Sequence, residues 1–475
     1  MEMLINGRGA GSETGMWIEV NDPATGETID RVPDGGRGDV GAAVDAAETA
    51  FPAWSEKTMR ERGLVLIRAA GIVRERHGEL GILLTKEQGK PIAEARDEVR
   101  GFANILEFYG GIASLPAGDA IRLGKQGDCL TVREPLGVCG AIVPWNMPVL
   151  IMGWKTGPAL LAGNTLVLKP SSSTPLTSLM LASIMEEAGV TPGVINVVTG
   201  RGDTAGEALI AHPSIAKVSF TGSCETGCRV RQVAGTKDLT LELGGSDAMI
   251  VMEDADIGKA VEGAVRGRFY NAGQTCTAVK RLFVHEDVYG PFITRLAERV
   301  QGIKIGNGLD PSVTMGPLHS RQQFGRISDL VRDVKEKGQG TIIAGGSPVP
   351  GSGTDGKGFF FEPTLVTEVA HESALLTSEV FGPVLPVMSF TGIDDAVARA
   401  NRTRYGLGAS VWTHNIAYVR EVFDHVNAGV VWVNRHLTVP PEIPFGGTKE
   451  SGTGRENGYR AVEGYTRTKT LFLGW

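Results

Sequence analysis

The chain has 475 residues, more than one ordinary hydrophobic core holds, so two or three domains are expected. The net charge of −7 and the scattered basic residues argue against a nucleic-acid-binding surface, and no apolar run reaches the roughly 18 residues of a membrane span. No signal-peptide pattern opens the sequence, and five irregularly spaced Cys residues indicate reduced thiols, so a cytoplasmic protein is expected.

Residues 39–115 are predicted to be helical. Apolar residues recur at helical spacing after Asp39, which is the predicted N-cap. The helical pattern continues from Leu64 and stops at Gly89 and Pro91, as expected of a helix end. A further helix is predicted over about 92–113.

The pattern then changes from helical to extended. Residues 129–143 alternate and contain Pro and Gly, which predicts paired strands with a turn. Short apolar runs follow, with helical stretches between the first five of them, at 140–143, 165–169, 194–198, 216–220, 239–243 and 248–252. Strands separated by helices predict a parallel sheet buried on both faces, in a doubly wound, nucleotide-binding layout.

A second α/β region is predicted over roughly 246–450. Its predicted strands are 281–285, 341–345, 385–390 and 429–433, and composition predicts a surface loop at 345–358. The last residues, 469–475, predict one more strand, which pairs either with another chain or with the 129–143 segment.

Three residues are candidates for chemistry, each with a plainer alternative. Cys276 lies among small and polar residues in NAGQTCTAVKR (271–281), as either a small buried hydrophobe or a nucleophile. Glu242 ends an alternating strand beside two Gly residues, as either an edge-strand Glu in water or a general base with a raised pKa. Asn146 precedes a predicted helix, as either an N-cap or a donor to an oxyanion.

Two further segments are candidates for binding a phosphate. A strand runs into Gly222-Ser223, where a helix begins; its free N–H groups suit a phosphate, although this segment alone favours a plain strand–turn–helix. Lys169 ends another strand, where it either reaches a ribose or phosphate or lies in solvent before a Pro turn. The eight His residues lie far apart without metal-binding spacing, which favours no metal site.

Eight stretches of the chain, in their order, match the motifs of one family. They are EQGKP (87–91), EPLGVCGAIVPWNMP (134–148), GPALLAGNTLVLKPS (157–171), FTGS (220–223), LELGG (241–245), GQTC (273–276), EVFGPV (379–384) and PFGGTKESGTGRENG (444–458). With them the chain resembles the NAD(P)-dependent, non-acylating aldehyde dehydrogenase superfamily over nearly its whole length.

The resemblance implies an α/β fold in three parts. A Rossmann-like, doubly wound cofactor domain takes 1–116 and 136–245, and a second α/β domain, the catalytic one, takes 246–455. A small β oligomerisation arm takes 117–135 and 456–475, so a homodimer or homotetramer is expected.

The resemblance also implies roles for the matching residues. Cys276 is the nucleophile, Glu242 is the general base for thioester hydrolysis, and Asn146 forms the oxyanion hole with the backbone N–H of Cys276. Glu456 relays protons from Glu242. The residues that would contact the cofactor are Trp145, Lys169, Ser172, Gly202, Gly206, Gly222, Ser223, Glu379 and Phe381.

The implied reaction oxidises an aldehyde to a carboxylic acid through a thiohemiacetal and a thioester, with hydride transfer to NAD or NADP. Members that use mainly NAD often carry Glu where this chain has Ser172, and a carboxylate there repels a 2′-phosphate. NADP is therefore expected to be accepted, and a preference for it is open. The family often has Lys directly after LELGG, whereas this chain has Ser246, which leaves the electrostatics near the nicotinamide open.

The predicted substrate pocket is apolar or weakly polar and contains no Arg. The resemblance implies that it is lined by Met147, Ile151, Trp154, Tyr270, Thr275, Thr277, Leu437, Val439 and Phe445. This favours an uncharged aliphatic or aromatic aldehyde. Because Arg435 and Glu442 lie in the same loop as Leu437, a semialdehyde or hydroxyaldehyde with an anionic or polar group is the alternative.

Three rival classes fit less well. A hydrolase without cofactor has no use for Lys169 at the sheet edge, and a non-catalytic relative has no need to keep Cys276, Glu242 and Asn146 together. An acylating enzyme that passes the thioester to coenzyme A generally lacks the base that Glu242 provides.

Overall fold

A computed structural model describes residues 1–114, 118–351 and 358–474. Its strands are β1 (Met3–Ile5), β2 (Arg8–Ala10), β3 (Trp17–Asn21), β4 (Thr28–Pro33), β5 (Ala120–Arg122), β6 (Asp128–Pro135), β7 (Val138–Ile142), β8 (Thr165–Lys169), β9 (Ile195–Val197), β10 (Ile215–Thr221), β11 (Asp238–Glu242), β12 (Asp247–Val251), β13 (Val279–His285), β14 (Thr341–Ala344), β15 (Thr364–Thr367), β16 (Val384–Phe390), β17 (Tyr405–Gly406), β18 (Gly408–Trp412), β19 (Val430–Val433), β20 (Thr448–Lys449), β21 (Gly452–Thr453) and β22 (Thr466–Leu473).

The helices pack mainly on the faces of two large sheets. They are α1 (Arg37–Ser55), α2 (Met59–Glu75), α3 (His77–Gln88), α4 (Ile92–Gly111), α5 (Pro148–Ala162), α6 (Leu176–Glu187), α7 (Glu207–Ala211), α8 (Cys224–Ala234), α9 (Ile257–Phe269), α10 (Glu286–Gln301), α11 (Arg321–Glu336), α12 (Ala374–Thr377), α13 (Ile393–Asn401), α14 (Ile416–His425) and α15 (Arg460–Glu463). In the described parts of the chain, none of these helices is long and apolar enough to cross a membrane.

The first large sheet has the order β2-β1-β9-β8-β7-β10-β11-β21, and its five central strands are parallel. In β8, Leu166 and Leu168 pack with helices α2, α4, α5 and α6, whereas Val167 packs with α1, α7 and α8 on the other face. The three consecutive apolar residues of this strand are therefore buried on both sides of the sheet. This confirms the predicted doubly wound layout.

The second large sheet has the order β14-β15-β16-β13-β12-β18-β19, in which every pair but β14–β15 is parallel. It too is covered on both faces, by α9 and α10 on one and by α13 and α14 on the other. The mixed α/β class predicted for this region is confirmed. Two strands, β15 and β18, were missing from the predicted set.

A three-stranded antiparallel sheet, β22-β6-β5, stands apart from the two large sheets. β22 pairs with β6 from Thr466 against Pro135 to Leu473 against Asp128, so of the two alternatives left open for the chain end, the structure has the pairing with the 129–143 segment. The prediction that 129–143 forms one hairpin is wrong. The chain turns at Gly137 (φ +121°), and β7 enters the centre of the first large sheet instead, because its residues are apolar enough to be buried there.

Two helix predictions also need correction. Asp39 is not the N-cap of α1: the helix begins at Arg37, and the Asp39 carboxylate accepts a hydrogen bond from the N–H of Gly36, the N-cap (2.8 Å). The pattern read as one helix up to Gly89 is two helices, α2 and α3, which meet at Arg76; the second ends at Gly89 (φ +101°) as predicted.

The predicted division into domains stays a prediction. Its boundary at 116/117, part of the predicted loop at 345–358 and the last residue of the predicted terminal strand lie outside the described residues.

Candidate active site

Four neighbouring strands of the first sheet carry predicted site residues at their carboxyl ends. β7 leads into Trp145-Asn146, β8 ends at Lys169, β10 leads into Gly222-Ser223, and β11 ends at Glu242. The strand order reverses here, because β8 and β9 lie on one side of β7 whereas β10 and β11 lie on the other. Such a switch point opens a crevice at the carboxyl edge, where ligands bind in doubly wound sheets.

Cys276 comes to this crevice from the part of the chain that forms the second large sheet, in the loop between α9 and β13. The loop begins with a 3₁₀ turn, Tyr270–Gly273, in which Asn271 and Ala272 have positive φ (+51° and +53°). The loop is bound to the segment that follows β7, because Asn146 Nδ2 donates to the carbonyl oxygen of Gln274 at 2.9 Å. Sulfur and carboxamide, 130 residues apart in sequence, therefore meet at one place.

The Asn146 side chain does not cap a helix. Met147 is the N-cap position of α5, and the Asn146 amide points to the Cys276 loop, so the N-cap alternative is excluded. The Asn146 carbonyl oxygen accepts hydrogen bonds from Lys90 Nζ at 2.8 Å and from Asn271 Nδ2 at 3.0 Å.

A buried ion pair that sequence reasoning missed supports this turn. Lys90 pairs with Glu98, and both side chains are fully buried. Glu98 Oε1 also accepts the N–H groups of Val149 (2.9 Å) and Leu150 (3.0 Å) at the start of α5. Lys90 lies in the EQGKP motif, so the motif itself was the only sequence signal for this role.

Glu242 is buried, with 2% of its surface exposed, which excludes the alternative of an edge-strand Glu in water. Neither carboxyl oxygen has a hydrogen-bond partner among the described residues. Burial, and secondarily repulsion from Glu456, raises the pKa of Glu242 well above its usual value. Such an uncompensated carboxyl is what a general base in a cleft requires.

Glu456 lies behind Glu242 in a buried polar group. Its Oε1 accepts hydrogen bonds from Lys155 Nζ (2.9 Å) and from Ser219 Oγ (2.7 Å). Lys155 also donates to Ser219 at 2.8 Å, so the three side chains are mutually satisfied. The hydrogen-bonded side chains of Glu456 and Lys155 therefore lie beside the Glu242 carboxyl group, which has no hydrogen-bond partner among the described residues.

The Cys276 thiol is partly buried, and that burial raises its pKa to about 12, with Lys280 acting in the opposite direction. The thiol is therefore protonated at neutral pH in the ligand-free protein. A thiolate is the nucleophilic form, so activation requires a base or an added positive field.

One side of Cys276 opens into a cleft lined by five of the predicted cofactor residues: Trp145, Gly222, Ser223, Glu379 and Phe381. Trp145 and Phe381 meet edge to face, with ring centroids 5.5 Å apart. Glu379 Oε1 accepts the N–H of Gly245 (3.0 Å) and an ion pair from Lys280 (3.1 Å).

His319 was missed by sequence reasoning, yet it packs against Trp145, one of the residues that line this cleft. Its ring stacks on Trp145, with centroids 4.5 Å apart and planes 9° from parallel, and its Nε2 lies 2.7 Å from Ser173 Oγ. Burial lowers the pKa of His319 to about 4, so the ring is neutral. No local pattern marks it, because its partners lie in other segments of the chain.

The remaining predicted cofactor residues lie around the end of β8. Lys169 is buried rather than solvated; burial lowers its pKa to about 8, and its Nζ donates to the Pro170 carbonyl at 3.0 Å. Gly206 lies beside it, because a Cβ there would stand 3.6 Å from Lys169 Cδ, and a π-helical turn links it to Gly202. Ser172 is half-buried in the loop before α6.

The other side of Cys276 opens into a cavity of about 140 Å³. All nine predicted pocket residues line it, namely Met147, Ile151, Trp154, Tyr270, Thr275, Thr277, Leu437, Val439 and Phe445. Leu150 and Arg266 complete the lining, so the expectation of a pocket without Arg is wrong. Arg266 was not predicted because it lies on α9, outside the matched motifs. Arg435 and Glu442, which the sequence offered as charged neighbours of the pocket, are exposed and do not line it.

Among the described residues, no group of three or more His, Cys, Asp or Glu side chains is placed to hold a metal ion.

A model of the aldehyde dehydrogenase family matches residues 10–471 of the chain. The chain belongs to the aldehyde dehydrogenase family. It is similar to phenylacetaldehyde dehydrogenase of Pseudomonas fluorescens, at 41% identity over 486 residues, covering 100% of this chain and 96% of that protein. It is also similar to betaine aldehyde dehydrogenase of Mesorhizobium japonicum, at 42% identity over 473 residues, covering 99% and 96%.

Solved structures agree with this membership. An E. coli NADP-dependent enzyme superposes with a TM-score of 0.97 at 37% identity, covering 100% of this chain and 98% of that one. PnpE in complex with nicotinamide adenine dinucleotide superposes with a TM-score of 0.97 at 39% identity, covering 100% and 97%. This aldehyde dehydrogenase is an NAD(P)-dependent oxidoreductase, as its sequence predicts.

The residues present fit a dinucleotide. The Lys169 ammonium donates one of its three N–H groups to the Pro170 carbonyl oxygen, which leaves two for a ribose or phosphate at the sheet edge. The N-terminus of α8 follows Gly222-Ser223 at the switch point and offers a positive dipole to a pyrophosphate. The aromatic walls formed by Trp145 and Phe381 suit a flat ring beside Cys276.

Proposed function

We propose that this protein oxidises an aldehyde to a carboxylic acid with Cys276 as the nucleophile. The observation that carries the proposal is the position of Cys276, which lines both the apolar cavity and the cleft of Trp145 and Phe381. An aldehyde that enters through the first and a nicotinamide held in the second would therefore meet at the sulfur.

Thiol addition makes the carbonyl carbon tetrahedral, and Asn146 supports the resulting oxyanion. A carboxamide has two N–H donors, and Asn146 uses one on Gln274, so one remains for the oxyanion together with the Cys276 N–H. NAD(P), held in the cleft of Trp145 and Phe381, would supply the hydride acceptor for this oxidation. The chain's own part in that step is to hold the sulfur, the oxyanion and the ring cleft in one fixed geometry.

Glu242 is the base in this proposal. Its buried carboxyl has no protein partner, and a raised pKa makes it a better proton acceptor once ionised. It takes a proton from the water that attacks the thioester on Cys276. Glu456, held by Lys155, provides a route for that proton away from the site.

The experiment is substitution of Cys276 by Ser and by Ala. Formation of reduced dinucleotide, followed at 340 nm with benzaldehyde or hexanal, should fall at least a thousandfold, roughly the loss of a nucleophile. Dinucleotide affinity, followed by tryptophan fluorescence, should stay within about twofold. Turnover at the normal rate in either variant would refute the proposal, and ester hydrolysis without any dinucleotide reduction would favour the hydrolase.

We propose further that NADP is accepted, because the position of Ser172 lacks the carboxylate that repels a 2′-phosphate and Lys169 lies nearby. Replacing Ser172 by Glu should lower kcat/KM for NADP by tenfold or more and leave that for NAD within about threefold. A wild-type preference for NAD of roughly a hundredfold, about 2.7 kcal/mol, would end this part of the proposal.

The proposed substrate is an uncharged aliphatic or aromatic aldehyde. Ten of the twelve residues lining the cavity are neither charged nor the nucleophile, and Trp154 and Phe445 pack at its inner wall with ring centroids 5.0 Å apart. The similarity to phenylacetaldehyde dehydrogenase supports an aromatic member of this class.

A second candidate, an aldehyde with an anionic tail, is favoured by Arg266. This side chain is exposed, lines the cavity, and forms no ion pair within the described residues. If it binds a carboxylate, Arg266→Gln should lower kcat/KM for succinic semialdehyde roughly tenfold, the loss of one charge-assisted contact, and Arg266→Lys should restore part of it. Hexanal is the matched control. No change with the semialdehyde would reject this candidate.

We propose a homodimer or homotetramer assembled through the three-stranded sheet. That sheet exposes a set of large apolar side chains, namely Ile121, Leu123, Leu130, Val132, Leu471, Phe472 and Leu473. Exposed patches of this kind mark interfaces, and the edges of β5 and β22 invite pairing. Light scattering should give a mass of at least twice 50.3 kDa, and a monomer would contradict the proposal.

The five free cysteines support a reducing, cytoplasmic location.

A further inference from the structure

A buried cation lies beside the nucleophile, although the sequence gives no family motif for it. Lys280 is fully buried on β13, and its Nζ donates to the carbonyl oxygens of Thr275 (3.0 Å) and Cys276 (2.6 Å). The same ammonium forms an ion pair with Glu379 at 3.1 Å and lies 5.6 Å from the ring centroid of Phe381. One side chain thus joins the loop of the nucleophile to Glu379 and Phe381, two of the predicted cofactor residues.

The backbone explains how Lys280 reaches this place. Strands β12 and β13 are parallel neighbours, with Asp247 opposite Val279 and Ala248 opposite Arg281, so Lys280 is the extra residue of an irregularity between these pairs. Such bulges re-aim a side chain, often next to an active site. Lys280 is aimed at the Cys276 loop and at Glu379.

We propose that Lys280 is a positioning residue that locks the Cys276 loop to Glu379 and whose charge favours ionisation of the Cys276 thiol. The charged or titratable groups that act on the sulfur are Lys280, Asp247, Glu379 and Glu242, and Lys280 is the one cation among them. The three carboxyl groups disfavour a thiolate, so Lys280 offsets their repulsion. His436, which also lies close to Lys280, is neutral because burial lowers its pKa to about 4.

The inference rests on the proposed role of Cys276, but its test needs no turnover. We would measure the alkylation rate of Cys276 by iodoacetamide in the full-length protein between pH 7 and 10, with Cys276→Ser as the background for the other thiols. Lys280→Met should slow alkylation of Cys276 roughly tenfold at each pH, the effect of about one unit in the pKa of the thiol. Lys280→Arg should restore most of the rate.

Three further measurements keep charge apart from folding. Lys280→Gln keeps a donor for the two carbonyl groups and loses the charge, so it should be as slow as Lys280→Met. Lys217→Met is the matched control, because Lys217 is also buried but donates to Thr240 (2.8 Å) on the sheet, so it should change thermal stability and not alkylation. The Kd of the dinucleotide should rise roughly three- to tenfold in Lys280→Met, because Glu379 loses its partner.

Unchanged alkylation of Cys276 in both Lys280→Met and Lys280→Gln would overturn the proposal. Equal slowing in Lys280→Arg and Lys280→Met would also overturn it, because the role would then be that of shape alone. Neither outcome bears on whether Cys276 is the nucleophile, which the turnover of Cys276→Ser decides separately.

Discussion

Replacing Asn146 by Ala should remove one oxyanion donor and little else. Of the two N–H groups of the carboxamide, one is spent on the Gln274 carbonyl at 2.9 Å, so one is available to the reaction. Loss of a single preorganised donor costs about 2.7–4 kcal/mol in the transition state, which is a 10²- to 10³-fold loss in rate. We therefore expect kcat/KM for a good aldehyde to fall by two to three orders of magnitude.

The cost in stability should be small, which makes the assay clean. The Asn146 backbone stays in place, because its carbonyl oxygen is held by Lys90 and Asn271 whatever the side chain. In this variant the Gln274 carbonyl oxygen still accepts a hydrogen bond from Asn271 Nδ2 at 3.3 Å, so it is not left without a donor. The free energy of unfolding should therefore fall by only about 1 kcal/mol.

The assay is single-turnover formation of reduced dinucleotide at saturating NADP, which separates acylation from later steps. Asn146→Asp is the matched variant: it keeps the volume and removes the donors, so it should be at least as slow. A loss of less than about threefold in Asn146→Ala, with the protein folded, would refute the assignment of Asn146 to the oxyanion.

The other predictions concern the base and the buried ion pair. Glu242→Gln should still give one burst of reduced dinucleotide and then stop, because an amide cannot activate water; an unchanged steady-state rate would contradict this. Since the pKa of Glu242 is raised, wild-type steady-state turnover should rise with pH on an acid limb above the ordinary Glu range of about 4.5, and full activity at pH 5 would argue against it. Lys90→Met should lower the free energy of unfolding in urea by about 3–5 kcal/mol, because it leaves Glu98 buried without a cation. Adding Glu98→Gln to this variant should recover part of the loss. If the single and the double variant lose the same free energy, the unpaired charge of Glu98 is not the cause.

Residues at strand ends were predictable from the sequence because strand and helix periods locate the carboxyl edge of a parallel sheet. Lys169 and Glu242 could be placed there before any coordinates, and the family motifs added Asn146 and Cys276. What the sequence left open was burial: each had a plausible solvent-exposed or structural alternative. The structure places Lys169 and Glu242 at the carboxyl ends of β8 and β11 and brings Asn146 and Cys276 into one cleft, whereas the roles of all four residues stay predictions.

Residues whose position depends on distant packing could not be predicted in this way. Arg266 reaches the cavity from α9, and His319 reaches Trp145 across 174 positions of sequence. Neither residue belongs to a hydrophobic periodicity or to a sequence motif that indicates which part of the molecule it contacts. The hairpin wrongly predicted for 129–143 failed for a related reason: local alternation describes two adjacent strands well but says nothing about which sheet each of them joins.

The proposed nucleophile is neutral in the ligand-free protein, and this has a consequence for the enzyme before it binds any ligand. Burial raises the pKa of Cys276 to about 12, so the group that faces the cleft and the cavity at neutral pH is a thiol. Oxidation and alkylation attack thiolates, so a protonated Cys276 resists both. Cys228, which is exposed, should therefore react with iodoacetamide faster than Cys276 at pH 7.5 in the ligand-free protein. Mass spectrometry of the modified peptides measures this order, and faster labelling of Cys276 would show that its thiol is already ionised without a ligand.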